Sequence, residues 1–305
     1  MEDINAFEKY LRNERNLSEQ TIIPYKKDLI AFRSYLESLE EPLTWQTLTT
    51  DVVRNWIIRE MDRGLNPKTV NRGLSALRTF YKFLLRVNRV QHDPVHHLQG
   101  PKTEKSLPSF IKESEMDRLL DGNFFPDDFE GTRDRLILLT FYSTGMRLSE
   151  LVGLNTADAD LRQGLVKVTG KRNKQRIIPF GRELHDAFEA YLRMRAALAH
   201  VPDGEKAFFV EPSTGRRISK EKVEKRVKEY LSLVSTARRR SPHTLRHTFA
   251  TTMLNHQADL QSVKELLGHE SLATTEIYTH TSLEELKQKY NQAHPRAKKD
   301  NDYGD

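Results

Sequence analysis

Apolar residues recur at helical spacing through the first hundred residues, and the rhythm then stops at "HHLQGPKTEKSLPSF". Gly100, Pro101 and Pro108, interspersed with lysines, break both helix and strand patterns, so the segment reads as a linker. A chain of 305 residues with 37% hydrophobic content can bury a real core and build two domains. The expected division is a helical unit over 1–95, a linker over 96–110, a larger unit over 111–290 and a polar, frayed tail over 291–305.

In the first unit, "INAFEKYLRNE" and "LSEQTIIPYKKDLIAFRSYLESL" carry the helical period, the second with a Ser-x-x-Gln cap signal at Ser18. "TTDVVRNWIIREMDRG" opens on Thr50 or Asp51 as its cap and closes at Gly64. "NPKTVNRGLSALRTFYKFLLRVN" completes a four-helix module. Beyond the linker, "KESEMDRLLD" and "GTRDRLILLTFYSTGMRLSELVGLN" predict helices, the latter interrupted at Ser-Thr-Gly. "GLVKVTG" and "QRIIPFG" predict two strands in a hairpin around "KRNK". Helices return over "RELHDAFEAYLRMRAALA", "SKEKVEKRVKEYLSLVS", the "HTLRH" segment, "DLQSVKELLG" and "SLATTEIYTHTSLEELKQKY". The expected fold class is therefore mainly α with a small antiparallel β section.

Several function classes drop out on composition. With no cysteine there is no disulfide framework and no thiol-ligated metal. No apolar stretch approaches the roughly 20 residues of a membrane helix, and "MEDINAFEKY" lacks the features of a signal peptide. A cytoplasmic protein is expected. The net charge of +6 favours a polyanionic partner, and its distribution says more. From Arg63 to Arg89 there is no Asp or Glu. Lys68, Arg72, Arg78, Lys82, Arg86 and Arg89 fall within a helical arc of about 120°, with Val70, Leu74, Leu77, Tyr81, Leu84 and Leu85 largely opposite. A solvated helix face usually mixes signs to form i,i+4 pairs. This one is expected to follow a phosphate backbone.

"HTLRH" places His243 and His247 four residues apart, on one helix face, a spacing that metals use. A helical zinc hydrolase needs H-E-x-x-H, whereas Thr244 occupies the glutamate position and Arg246 adds a permanent positive charge. The metal reading fails on charge, and no metal is expected. A guanidinium flanked by imidazoles suits a phosphodiester instead. A second arginine, Arg147 in "STGMRLSELVGL", follows an apolar helix and the Gly145 break, or simply pairs with Glu150 at i,i+3. Lys171 starts the "GKRNK" turn, His269 follows a Gly268 helix stop, and Tyr278 lies beyond it. Each of these, taken alone, has an ordinary structural explanation.

Together, "TGMRLSEL", "VTGKRNKQRIIPF", "PHTLRHTFAT" and "LLGHESLATTEIYTH" closely resemble the tyrosine recombinase (phage-integrase-like) family. The resemblance spans almost the whole chain. "LRNERNLSEQTIIPYKKDL" looks like that family's helical core-binding domain, and the ending "LEELKQKYNQAHPRA" looks most like the bacterial Xer branch, of XerC/XerD type. The resemblance implies six catalytic residues. Tyr278 would attack the scissile phosphate and form a 3′-phosphotyrosyl bond, with His243 as its base. Arg147 and Arg246 would clamp the non-bridging oxygens, Lys171 would protonate the departing 5′-oxygen, and His269 would hydrogen-bond the phosphate. Glu150 would orient Arg147 or His243, and His247 would be structural.

It also implies double-stranded DNA as partner, no metal, ATP or other cofactor, and a homo- or hetero-tetramer on two sites. In such an assembly the segment Leu283–Tyr290 would dock into a neighbouring subunit. A second Xer-type recombinase and a DNA translocase of the FtsK type are the further partners, and the implied cell role is resolving chromosome dimers at a dif-like site. The alternatives are a mobile-element integrase or invertase of the same chemistry, a type IB topoisomerase-like relaxing enzyme, and a DNA-binding protein without catalysis.

Overall fold

The computed structural model describes residues 1–103, 109–170, 173–268 and 280–297, with the side chains of 280–282 left aside. The chain divides into two compact units, Met1–Ser106 and Leu107–Asp305.

The first unit is four helices: α1 (Glu2–Asn13), α2 (Glu19–Glu37), α3 (Thr50–Asp62) and α4 (Pro67–Arg86). The start of α4 is set locally, because the Asn66 side chain accepts from the Lys68 backbone N–H (2.9 Å) and Pro67 needs no such partner. Its apolar face closes an aromatic core in which Trp45 meets Phe80 edge-on, with centroids 4.9 Å apart. The buried Tyr81 hydroxyl donates to the Trp45 carbonyl (2.9 Å). The cap of α3 is Thr49, one residue before the expected pair. Both expected caps are otherwise engaged: the Thr50 hydroxyl donates to the Pro94 carbonyl (3.0 Å), and Asp51 holds Arg54 (2.5 Å).

The second unit begins with α5 (Glu113–Asp121), α6 (Phe129–Thr144) and α7 (Leu148–Gly153). Nearly every side chain of α6 from Gly131 to Thr144 is buried, so it is the central helix rather than an amphipathic one. A three-stranded antiparallel sheet follows, in the order β1 (Ala159–Asp160), β2 (Leu165–Thr169) and β3 (Gln175–Pro179). The β2–β3 hairpin pairs Leu165 with Pro179 and Thr169 with Gln175, in agreement with the sequence reading. The third strand was not expected, since two residues are too few to show a period. Next come α8 (Arg182–Ala196), α9 (Lys220–Val234), α10 (Pro242–Asn255), α11 (Leu260–Leu267) and α12 (His280–Ala293). Helices α8, α9 and α10 pack on α6, while α11 and α12 each bridge α10 and β3.

The expectation of a frayed tail from residue 291 is corrected. Helix α12 continues to Ala293, and His294 and Arg296 beyond it are buried. The Arg296 guanidinium meets Asp117 (2.7 Å) and Asp121 (3.0 Å) of α5 and Glu183 (2.7 Å) of α8. Three carboxylates around one guanidinium offset its desolvation, which a scan for apolar periodicity does not register. His294 stacks on Tyr290 and donates through Nε2 to the Tyr142 carbonyl (3.1 Å). Burial, with the Arg296 charge, lowers its pKa to about 4, so the ring is neutral at pH 7. Leu286 and Tyr290, expected to enter a neighbouring subunit, are here buried in their own unit. Among the described residues no helix is long and apolar enough to cross a membrane.

Candidate active site

Arg147 owes its position to a glycine. Helix α6 ends at Gly145 in the left-handed conformation (φ +58°), and a Cβ there would lie 2.5 Å from Phe249 Cδ1 and 2.9 Å from Leu267 Cδ2. The chain turns sharply at that point and restarts as α7, with Arg147 as its N-cap. Glu150, three residues on, accepts from the Arg147 backbone N–H (2.7 Å) and from its Nη1 (2.8 Å). The i,i+3 pair foreseen as the ordinary explanation of Arg147 therefore exists, and it fixes the direction of the guanidinium.

Arg246 arrives from the other side. Ser241 caps α10 by accepting from the Thr244 N–H (3.3 Å), and Pro242 fills the first helical position. Arg246 then lies one turn in, half-buried, donating to the Gly145 carbonyl (2.7 Å) and the Leu267 carbonyl (2.5 Å). His243 is exposed in the first turn, where the free N–H groups of a helix favour an anion. Its ring stacks on His247, with centroids 4.6 Å apart and planes 23° from parallel. Burial first, then the His243 and Arg246 charges, lowers the His247 pKa.

A third guanidinium was not singled out from the sequence. Arg176 on β3 is buried and spans Glu150 with two bonds, Nη1 to Oε1 (2.7 Å) and Nη2 to Oε2 (2.9 Å). Its Nε donates to the Leu266 carbonyl (2.8 Å). Three consecutive carbonyls at the end of α11 thus each receive a different arginine: Leu266 from Arg176, Leu267 from Arg246, and Gly268 from Arg147 (3.4 Å). A signal was available, since strand alternation puts Arg176 on the same face as the core residue Ile178.

The electrostatics follow from this crowding. Burial disfavours the Glu150 charge, but the Arg176 hydrogen bonds and charge, joined by Arg147, lower its pKa to about 2. Burial, then the Arg147 and Arg176 charges, lower that of Arg246 to about 10 against the pull of Glu150. Three guanidiniums and one carboxylate leave two positive charges unmatched within the group. A phosphodiester carries one negative charge, and its pentavalent state carries about two. The site suits that state better than the ground state.

Of the six residues implied as catalytic, Arg147, His243 and Arg246 are brought together around the α6–α7 turn and the first turns of α10. Lys171, His269 and Tyr278 lie outside the described residues. For Lys171 and His269, the preceding described residue reaches the site. An ideal Cβ on Gly170 would stand 3.2 Å from Glu150 Oε1 and 3.7 Å from Arg147 Nη1, and Gly268 is the residue whose carbonyl Arg147 contacts.

Residues 109–285 match the phage integrase family, and residues 4–88 match the phage integrase N-terminal SAM-like domain. The chain belongs to the phage integrase family, the tyrosine recombinases. It is an enzyme of site-specific recombination. The tyrosine recombinase XerC of Azotobacter vinelandii is 42% identical over 300 residues, covering 98% of each chain. That of Pseudomonas aeruginosa is 40% identical over 97% of this chain and 96% of the relative. Among solved structures, the XerH site-specific recombinase bound to a palindromic difH substrate aligns with a TM-score of 0.71 at 22% identity, over 94% of this chain and 84% of that one. The Tn1549 transposon integrase, in complex with circular intermediate DNA, aligns at 0.69 and 19% identity, over 93% of this chain and 98% of that one. Both show the recombinase fold.

The basic arc on α4 differs from its expected form. The helix carries no acid, yet acids reach it from α1 and α2. Arg72 bonds Asp28 through two donors (2.8 and 2.9 Å), Arg86 pairs with Glu14 (2.9 Å), and Arg89 lies near Glu2 and Asp3. Arg78 is half-buried and donates to the Leu98 carbonyl. Lys68 and Lys82 are exposed, with no ion pair among the described residues.

Proposed function

We propose that this recombinase cleaves and rejoins double-stranded DNA through a 3′-phosphotyrosyl intermediate on Tyr278. The observation that carries the reading is the pair of guanidiniums, Arg147 and Arg246, aimed by fixed backbone carbonyls with two charges left over for a phosphate. The Tyr278 oxygen attacks phosphorus, the bond to the 5′-oxygen breaks, and His243 takes the phenolic proton. Lys171 gives a proton to the leaving oxygen, and His269 donates to a phosphate oxygen. The phosphotyrosyl bond retains the energy of the phosphodiester, so religation requires no nucleotide hydrolysis.

Two units joined through the Gly100–Pro108 segment close on the duplex, and the α4 arc with Lys68, Arg72, Arg78, Lys82, Arg86 and Arg89 tracks its backbone. Arginines paired with exposed carboxylates can exchange those partners for phosphates. Exchange between duplexes requires four protomers on two sites, with α12 donated to a neighbour in place of the intramolecular docking seen here. Likeness to the XerC recombinases supports a cytoplasmic role in resolving chromosome dimers at a dif-like site, with a second Xer-type recombinase and a translocase as partners. A plasmid carrying two copies of the candidate site tests this. Recombinant circles are the expected product. Relaxed circles alone would indicate a swivelling enzyme, and intact plasmid with bound protein would indicate binding without catalysis.

A further inference from the structure

Among the described residues, Arg176 is the buried arginine of the site that the proposed chemistry leaves without a task. Three of its five N–H donors are engaged: two on the two oxygens of Glu150 and the third, Nε, on the Leu266 carbonyl. Each of its three nitrogens already holds a partner inside the protein and the side chain is buried, so it is placed to link parts of the site rather than to face a phosphate. It does touch both supports of the phosphate clamp. Glu150 holds Arg147 from one side, and the end of α11 receives Arg147 and Arg246 on its next two carbonyls. Gly268 is tied to the same contact, since a Cβ there would lie 3.0 Å from Arg176 Cδ.

We propose that Arg176 is a positioning residue for DNA cleavage, locking Glu150 and the end of α11 together so that Arg147 and Arg246 meet the scissile phosphate at fixed separation. The inference rests on the recombinase reading of the site. A lysine could supply the charge but not the geometry, because one ammonium cannot span two carboxylate oxygens and a carbonyl on a third side. A displacement of about 1 Å at a clamp of this kind costs on the order of 100-fold in rate.

The test uses the full chain and a nicked duplex carrying the sequence that the wild-type protein enriches from a random pool. Single-turnover formation of the covalent adduct and equilibrium DNA affinity are measured separately. Arg176→Met is expected to slow adduct formation about 100-fold while affinity changes less than about threefold. Because Arg176 acts through Glu150, the double variant Glu150→Gln with Arg176→Met is expected to cleave within about threefold of Glu150→Gln alone. Losses that multiply in the double variant would overturn the proposal, as would a wild-type rate in Arg176→Met. Should that variant fail to fold, Arg176→Lys keeps the charge and is expected to lose about tenfold in rate; full-rate cleavage by it would also overturn the proposal. An absence of adduct from the wild-type chain would instead overturn the recombinase reading itself.

Discussion

The two sets of arginines in this chain are built in opposite ways. On α4 and just beyond it, Arg72, Arg86 and Arg89 are exposed and paired with carboxylates that water also reaches. Around α11, Arg147, Arg176 and Arg246 are held by backbone carbonyls, with one fully buried carboxylate among them. A carbonyl at a helix end cannot swing away, and it aims a guanidinium without neutralising it. A surface carboxylate neutralises without aiming. The carbonyl-held set suits a reaction that needs charge at a set place, and the carboxylate-paired set suits a duplex held at many interchangeable points.

The sharpest way to break this comparison is Arg246→Ala. Removing one aimed donor is expected to lower single-turnover cleavage about 1,000-fold. DNA affinity, spread over many phosphates, is expected to fall only a few-fold. Equal losses in both would erase the distinction between the two arginine sets.

Next is the buried carboxylate. Glu150 has a folded pKa of about 2, below its unfolded value, so its contribution to stability is fully present above about pH 4.5 and is lost as pH falls toward 2. The unfolding free energy of the wild type relative to Glu150→Gln is expected to be level from pH 7 to about 5. It should then drop by a few kcal/mol by pH 2. A flat difference across that range would mean that the carboxylate is not held by Arg176 and Arg147 in solution.

For the α4 set, replacing Arg78, Lys82 and Arg86 by alanine is expected to weaken binding about tenfold near physiological salt. The slope of log affinity against log salt should flatten by about 0.9 for each phosphate that the variant no longer neutralises. Arg72→Ala alone is the mildest variant, since Asp28 already offsets the Arg72 charge, and about a twofold effect is expected. A salt slope unchanged in the triple variant would mean that the arc only solubilises the helix.

What the sequence made legible follows the same division. Helical periodicity reported most of the α elements and the alternation in "GLVKVTG" helped report the hairpin, while the buried α6 and the six-residue α7 show no full apolar period of their own. Arg147 and Arg246 could be read from their motifs because glycine and proline signals nearby fix the helix ends that carry them. Arg176 was passed over as part of a strand, since its Glu150 and Leu266 partners lie 26 and 90 residues away in the chain. Arg296 was hidden for the same reason: "HPRA" looks like a polar end until α5 and α8 supply three carboxylates. Acids facing α4 likewise come from other helices, so an acid-free segment did not mean an acid-free surface.

The most direct test is to trap the protein on a nicked duplex, digest it with a protease and locate the DNA-linked peptide by mass spectrometry. A single adduct joining the Tyr278 oxygen to a 3′-phosphate, and no adduct from Tyr278→Phe, is the predicted result. An adduct on any other residue, or one that persists in Tyr278→Phe, would contradict the assignment of this site as the phosphate clamp of a tyrosine nucleophile.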